Sequence, residues 1–207
     1  MFGKTKLIEG EISVGAQKIS IRKMGTWFEY VRGDVRKLVA GDEIAIYPAP
    51  AKGYGVKLMM VRLEEELIVP PNIGVEGFFS VPIEVSVKAG DVEVDRFSIG
   101  KEKYALYGTL ERGVIVRYSR SRIKEKPEGI GVMKVKIVNK GPSWGKIERI
   151  VFPLLDIMYY TKERAFYPLI EVVINRGIEV INTGKPPLKN LSAVGDELKK
   201  LSFKMRW

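Results

Sequence analysis

Cysteine and histidine are both absent from the 207 residues. Without cysteine there are no disulfides and no thiolate nucleophiles; without histidine there are no imidazole bases. Together the two absences remove nearly every zinc, copper or haem site. What remains is carboxylate, lysine, tyrosine or serine chemistry, or a hard cation held by oxygens. Glutamine occurs once, at Gln17, beside abundant lysine, glutamate, isoleucine and valine. That is the bias of heat-adapted proteins, in which thermolabile side chains are scarce, and it points to a thermophilic source. No apolar run reaches the roughly eighteen residues of a membrane-spanning helix. The opening stretch MFGKTKLIEGEISVG meets charge before a signal-peptide core could form. A cytoplasmic protein with no transmembrane segment is therefore expected, and no cofactor is implied.

What is present is the composition of a folded globular chain, 45% hydrophobic and 29% charged. The formal net charge is +10, and it is concentrated. Residues 101–150 carry 13 Lys and Arg against 5 Asp and Glu. Such a balance admits nucleic acid, an anionic surface or an acidic partner, and it equally describes a soluble surface laced with ion pairs.

Short runs of period-two alternation separated by glycine-centred turns dominate the chain, the pattern of half-buried antiparallel strands. Gly10–Val14, Lys18–Lys23 and Thr26–Val31 read as a meander. Asp34 to Gly41 reads as one short helix with Asp34 as N-cap and Gly41 as stop. Consecutive prolines at 70 and 71 suit a connection rather than a central strand, which divides the chain into a small N-terminal antiparallel β unit, 1–69, and a larger unit, 70–207. Eight further strands in the second unit suggest a β-sandwich. Leu191, Val194, Leu198 and Leu201 recur at steps of three and four, which predicts a short C-terminal helix with Lys199, Lys200 and Lys204 toward its end. The fold class expected is all-β, mainly antiparallel.

The segment RYSRSRIKEKPEG from Arg117 holds three arginines and two lysines in ten residues. A three-residue loop at Glu111-Arg112-Gly113 sets Tyr107 opposite Arg117 and Leu106 opposite Tyr118. Even positions from 106 to 118 then face a core, while Lys103, Tyr107, Arg117 and Ser119 face solvent. This polar face is the expected contact surface of a non-enzymatic binding or assembly module for a protein partner. Alternating cations at Arg117, Arg120, Arg122, Lys124 and Lys126 would instead suit nucleic acid or another polyanion, although no RNP-like cluster, zinc knuckle or helix-turn-helix accompanies them.

Other features carry less. Asp91, Glu93 and Asp95 alternate on one strand, and a solvent-facing acidic ladder outweighs a metal site there. Glu64-Glu65-Glu66 flanks a strand, and Gly53-Tyr-Gly55 and Gly129-Ile-Gly131 lack the sequel of a phosphate loop. Trp27 and Trp144 read as core filling near turns. No catalytic or metal-binding residue emerges; a carbohydrate-active enzyme would require two carboxylates facing across a cleft. The stretches KYALYG from Lys103, GVIVRY from Gly113 and VKIVNKGPSWGKIERIVFP from Val135 resemble an archaeal family of unknown function. The resemblance spans most of the chain and implies an archaeal, cytoplasmic origin, with no activity or ligand to carry over.

Overall fold

The computed structural model describes residues 1–196 and 201–205. Every regular element among them is a strand. Before Pro70 lie β1 (Gly3–Lys6), β2 (Gly10–Val14), β3 (Gln17–Met24), β4 (Trp27–Arg32), β5 (Val35–Ala40), β6 (Glu43–Pro50) and β7 (Leu58–Val69). After Pro71 come β8 (Gly74–Ser80), β9 (Ile83–Ala89), β10 (Val92–Ser98), β11 (Tyr104–Tyr107), β12 (Val114–Ser121), β13 (Gly131–Asn139) and β14 (Gly145–Pro153). The last six are β15 (Ile157–Tyr160), β16 (Ala165–Phe166), β17 (Ile170–Ile174), β18 (Ile178–Asn182), β19 (Ser192–Gly195) and β20 (Leu201–Met205).

Four mostly antiparallel sheets result. One is the meander β2-β3-β4-β5; the others run β1-β6-β9-β10, β11-β12-β7-β14 and β19-β15-β16-β13-β17-β18-β20, with β8 on the other edge of β13. The pairs β7–β12, β13–β16 and β13–β17 are parallel. Strands on both sides of Pro70-Pro71 share ladders, since β6 pairs β9 and β7 pairs both β12 and β14. The proline pair itself is pinned rather than free. Buried Asn139 donates to Val69 O and Ser143 O at 2.9 Å each, accepts from Gly141 N–H, and accepts on its own carbonyl from Asn72 N–H. At the other end of the chain, Phe2 N–H donates to Lys162 O at 3.0 Å.

Two helices expected from the sequence are strands instead. Residues 35–40 form β5, because Gly33-Asp34 makes a two-residue turn, with Gly33 at φ +54°, that sets Arg32 opposite Val35. Asp34 is a turn residue rather than an N-cap, and the apolar residues then alternate, Val39 buried and Leu38 exposed. The expected C-terminal helix is replaced by β19, paired with β15, and β20, paired with β18. Gly195 sits at φ +101°, and a Cβ there would overlap the Asp156 carbonyl, a close approach of two backbones that a helix does not permit. Leu198, Lys199 and Lys200 lie outside the described residues.

The acidic ladder is also corrected. A register shift between Glu93 and Asp95 turns Asp95 into the interior, where Tyr30 Oη donates to its Oδ2 at 2.6 Å and Arg32 reaches both oxygens at 2.6 and 3.1 Å. Arg32 in turn lies 4.3 Å from the Phe97 ring centroid. This cluster fastens the N-terminal meander onto the β10 edge of its neighbour. Burial alone would raise the Asp95 carboxyl, but the hydrogen bonds from Arg32 and Tyr30 outweigh it and hold the group below the usual range. Trp27 and Trp144, expected inside, are exposed.

Candidate functional site

The hairpin formed by β11 and β12 has a different register from the one its glycines suggest. Tyr104 pairs with Arg117 and Tyr107 with Val114, so the connection is six residues, Gly108 to Gly113, with Leu110 95% exposed at its tip. Gly108, at φ +114°, packs so close to Gly113 that a Cβ would stand 2.9 Å from the Gly113 Cα. The two glycines close the neck of the loop, where a three-residue turn would have used Gly113 alone. The pairing is displaced by three residues, an odd number, and that moves Tyr107 to the face opposite Arg117.

The outward orientation expected for Tyr107 and Arg117 is therefore overturned. Tyr107 is buried with Met60, Val116 and Val151, its ring centroid 5.8 Å from that of Phe203. Arg117 is 0% exposed, on the other face of the sheet. Of the remaining cations, Arg122 is ion-paired to Glu65 at 2.5 Å and lies near Glu64, and Lys124 is paired with Glu128. Lys126 is exposed and lines neither of the two openings described next. A continuous basic stripe from 117 to 126 does not form.

Lys103, Ser119 and Arg120, together with Lys101, do come together along a cleft of about 480 Å³. The opposite wall is Ser80–Ile83 and Gly129–Gly131, and Tyr118 and Ile99 add apolar surface. Lys101, Lys103 and Arg120 make no ion pair among the described residues. A smaller opening of about 360 Å³ continues past Ser80 and Arg120 to Arg122 and Lys124. The cleft exists because β11 ends at Tyr104 while β12 runs on. Tyr118 N–H donates to Lys103 O at 2.9 Å, the last bond on that side. Two residues on, Arg120 directs its own N–H and C=O to the same side, where no strand pairs. The far end is closed by reciprocal bonds between Phe78 and Lys124 and by Ser80 N–H donating to Ser121 Oγ at 3.2 Å.

A second, smaller pocket of about 290 Å³ lies among Gly53, Tyr54, Glu84, Arg96, Phe97, Ser98 and Glu102. Glu84 is buried and accepts from Gly53 N–H at 2.6 Å and from Arg96 at 3.4 Å. Gly53 is required at this point, with φ +47° and a would-be Cβ that overlaps Tyr104 Oη. Glu102 accepts from Ser98 Oγ at 2.5 Å and from Tyr104 Oη at 2.6 Å, and those bonds hold its carboxyl below the usual range. Beneath it, Arg117 Nη1 is 3.2 Å from Glu102 Oε2 and Nη2 donates to Ser98 Oγ at 3.3 Å. Arg117 Nε and Nη1 have no hydrogen-bond acceptor. Glu84 and Glu102 thus share one pocket, but every oxygen of the pair already accepts from a donor or faces one.

Sequence reasoning missed Glu102, Ser98, Tyr104 and Lys101. In Lys101-Glu102-Lys103 the glutamate has the look of surface charge, and only the pairing of β11 with β12 brings Arg117 under it. Among the described residues, no three acidic side chains converge as a metal site.

No curated protein and no solved structure matches the chain. A family model described as "Protein of unknown function (DUF432)" matches residues 1–205, and the chain belongs to that family.

Proposed function

We propose that the protein is a non-enzymatic binding module whose cleft between β12 and the 80–83 segment takes an extended acidic stretch of a protein partner. The observation that carries this reading is the unpaired main chain of Arg120, set beside three cations that have no carboxylate of their own. A free strand edge offers a peptide backbone its hydrogen bonds, and Lys101, Lys103 and Arg120 select acidic side chains along it. Lys103 and Ser119 belong to the contact surface expected from the sequence, and Arg120 to the alternative polyanion set. A long polyanion is the weaker reading. Arg117 is buried, and Arg122 and Lys124 are already neutralised, which leaves few charges for a phosphate backbone.

Fluorescence anisotropy with a labelled hexaglutamate peptide tests the proposal. Replacing Lys103 and Arg120 together by alanine removes two exposed contacts worth about 0.5–1 kcal/mol each, so affinity should fall roughly 5- to 30-fold. Arg120→Pro should weaken binding beyond Arg120→Ala, because it also removes the free N–H while leaving the bonds to β7 intact. Equal affinity for all these variants refutes the cleft. Tighter binding of a single-stranded oligonucleotide with a steep salt dependence would put a polyanion in place of the peptide.

A further inference from the structure

Arg117 is among the largest fully buried side chains of the described residues, and it is poorly satisfied. A guanidinium offers five N–H donors. Here one is taken by the Ser98 hydroxyl at 3.3 Å, while Nε and Nη1 have no acceptor in hydrogen-bonding geometry. The nearest carboxylate, Glu102, comes within 3.2 Å of Nη1 but is directed at the hydroxyls of Ser98 and Tyr104. Leaving a buried charged donor unmade is among the most expensive defects a fold can carry. Glu102 also differs from Arg117 in kind. Its side chain is 36% exposed, it lies in the irregular 99–103 connection, and it forms part of the wall of the 290 Å³ pocket.

From this geometry we infer that Arg117, Ser98 and Tyr104 form a carboxylate-binding site at the bottom of that pocket, which Glu102 fills from within the chain and which a small carboxylic acid enters by displacing the Glu102 side chain. Three donor groups converge where the carboxylate of Glu102 now sits, two hydroxyls and a guanidinium, a complete set for a planar two-oxygen anion. A ligand carboxylate not tethered to the loop is free to turn toward Nε and Nη1, which Glu102 leaves without acceptors. The rest of the pocket suits a small polar body. Arg96 lines it with its guanidinium already shared between Glu93 and Glu84, and Tyr54, 92% exposed, holds its ring 5.9 Å from that of Tyr104 at the rim. At about 290 Å³ the space is at the small end of ligand pockets, roughly 300–1,000 Å³. Glu84 also lines the pocket, and its bonds from Gly53 N–H and Arg96 offset its charge in part. The site is separate from the acidic-peptide cleft. The cleft takes Ile99, Lys101 and Lys103 from the connection, and the pocket takes Ser98 and Glu102.

Chemical rescue tests the inference without a peptide, so its failure is distinguishable from failure of the cleft. Glu102→Ala exposes Arg117 to the pocket, and sodium acetate is titrated against sodium chloride as the control while thermal unfolding is followed. At ten times its dissociation constant a single-site ligand shifts the folding equilibrium about 11-fold, which for a chain of this length raises Tm by roughly 3–6 °C. The expected result is a rise of that size in Glu102→Ala that grows with the logarithm of acetate concentration above the dissociation constant, and the same rise in wild type displaced to at least about tenfold higher acetate because Glu102 competes at high effective concentration. Glu102→Ala combined with Arg117→Met should show none. No acetate-specific rise in Glu102→Ala overturns the site. An equal rise in the double variant places the acetate elsewhere and overturns it too. A response in Glu102→Ala with none in wild type shows that Glu102 is a fixed counter-ion rather than an exchangeable one, and overturns the displacement.

Discussion

Replacing Asp95 by asparagine should loosen the N-terminal meander more than any other single change in polarity on that face. The Asp95 side chain is 5% exposed and that of Arg32 17%. Asparagine keeps the size and can still accept from Tyr30, but it turns an NH2 group toward Arg32 or gives up that contact. Breaking one partner of a buried pair costs about 3–5 kcal/mol, and the partial exposure of Arg32 lowers this to about 2–4 kcal/mol. For a chain of this length the corresponding fall in Tm is roughly 4–16 °C. Urea denaturation followed by tyrosine and tryptophan fluorescence reads the change directly. Tyr30→Phe should cost about 1 kcal/mol, and the double variant should cost less than the sum of the two, since both remove the same bond. The pH dependence has a definite sign. Because the folded carboxyl is held below its unfolded value of about 3.9, its contribution is full above that pH and is lost as pH falls through the depressed folded value. Asp95→Asn should flatten the stability profile in that acid window. A destabilisation under about 0.5 kcal/mol, the level of an ordinary surface change, would show that the three residues do not tie the meander down.

Tyr167 is fully buried, its hydroxyl accepting from Ala51 N–H and donating to Pro82 O at 2.9 Å each. Tyr167→Phe leaves both backbone groups unpaired and should cost about 1–3 kcal/mol in the same denaturation assay. Gly195→Ala places a methyl group against the Asp156 carbonyl at φ +101°. It should open the β15–β19 pairing, seen as faster amide exchange at residues 157–160 with little change in β13.

Most of the strands joined by short local turns were legible in this sequence, with β5, expected as a helix, the exception. The two-residue turns Gly15-Ala16 and Gly25-Thr26 join β2, β3 and β4 as the glycines imply, with Val14 opposite Gln17 and Met24 opposite Trp27. The hairpins β9–β10 and β17–β18 lie where Gly90 and Gly177 put them. What the residues could not convey is partnership at a distance. Nothing in Leu58–Val69 announces that β12 will lie parallel beside it, and nothing in Arg117 announces that Ser98 and Glu102 will meet the face of β12 expected to meet water. The hairpin register failed for a related reason, because Gly108 and Gly113 act as a pair and a local reading assigns the turn to one of them. Arg117 and Arg120 are three residues apart and alike in composition, yet one is sealed inside the protein and the other flanks an open cleft. Strand alternation over that odd spacing puts them on opposite faces of the sheet, and the shortness of β11 leaves the edge beside Arg120 open.

The bond from Phe2 to Lys162 carries a consequence for biogenesis. Phe2 waits for a partner 160 positions downstream, which at ordinary elongation rates is roughly 8–32 s. During that interval β1 can pair only with β6. The meander of β2 to β5 needs no such partner to complete its ladder, so of the four sheets described it is the one able to form earliest during synthesis.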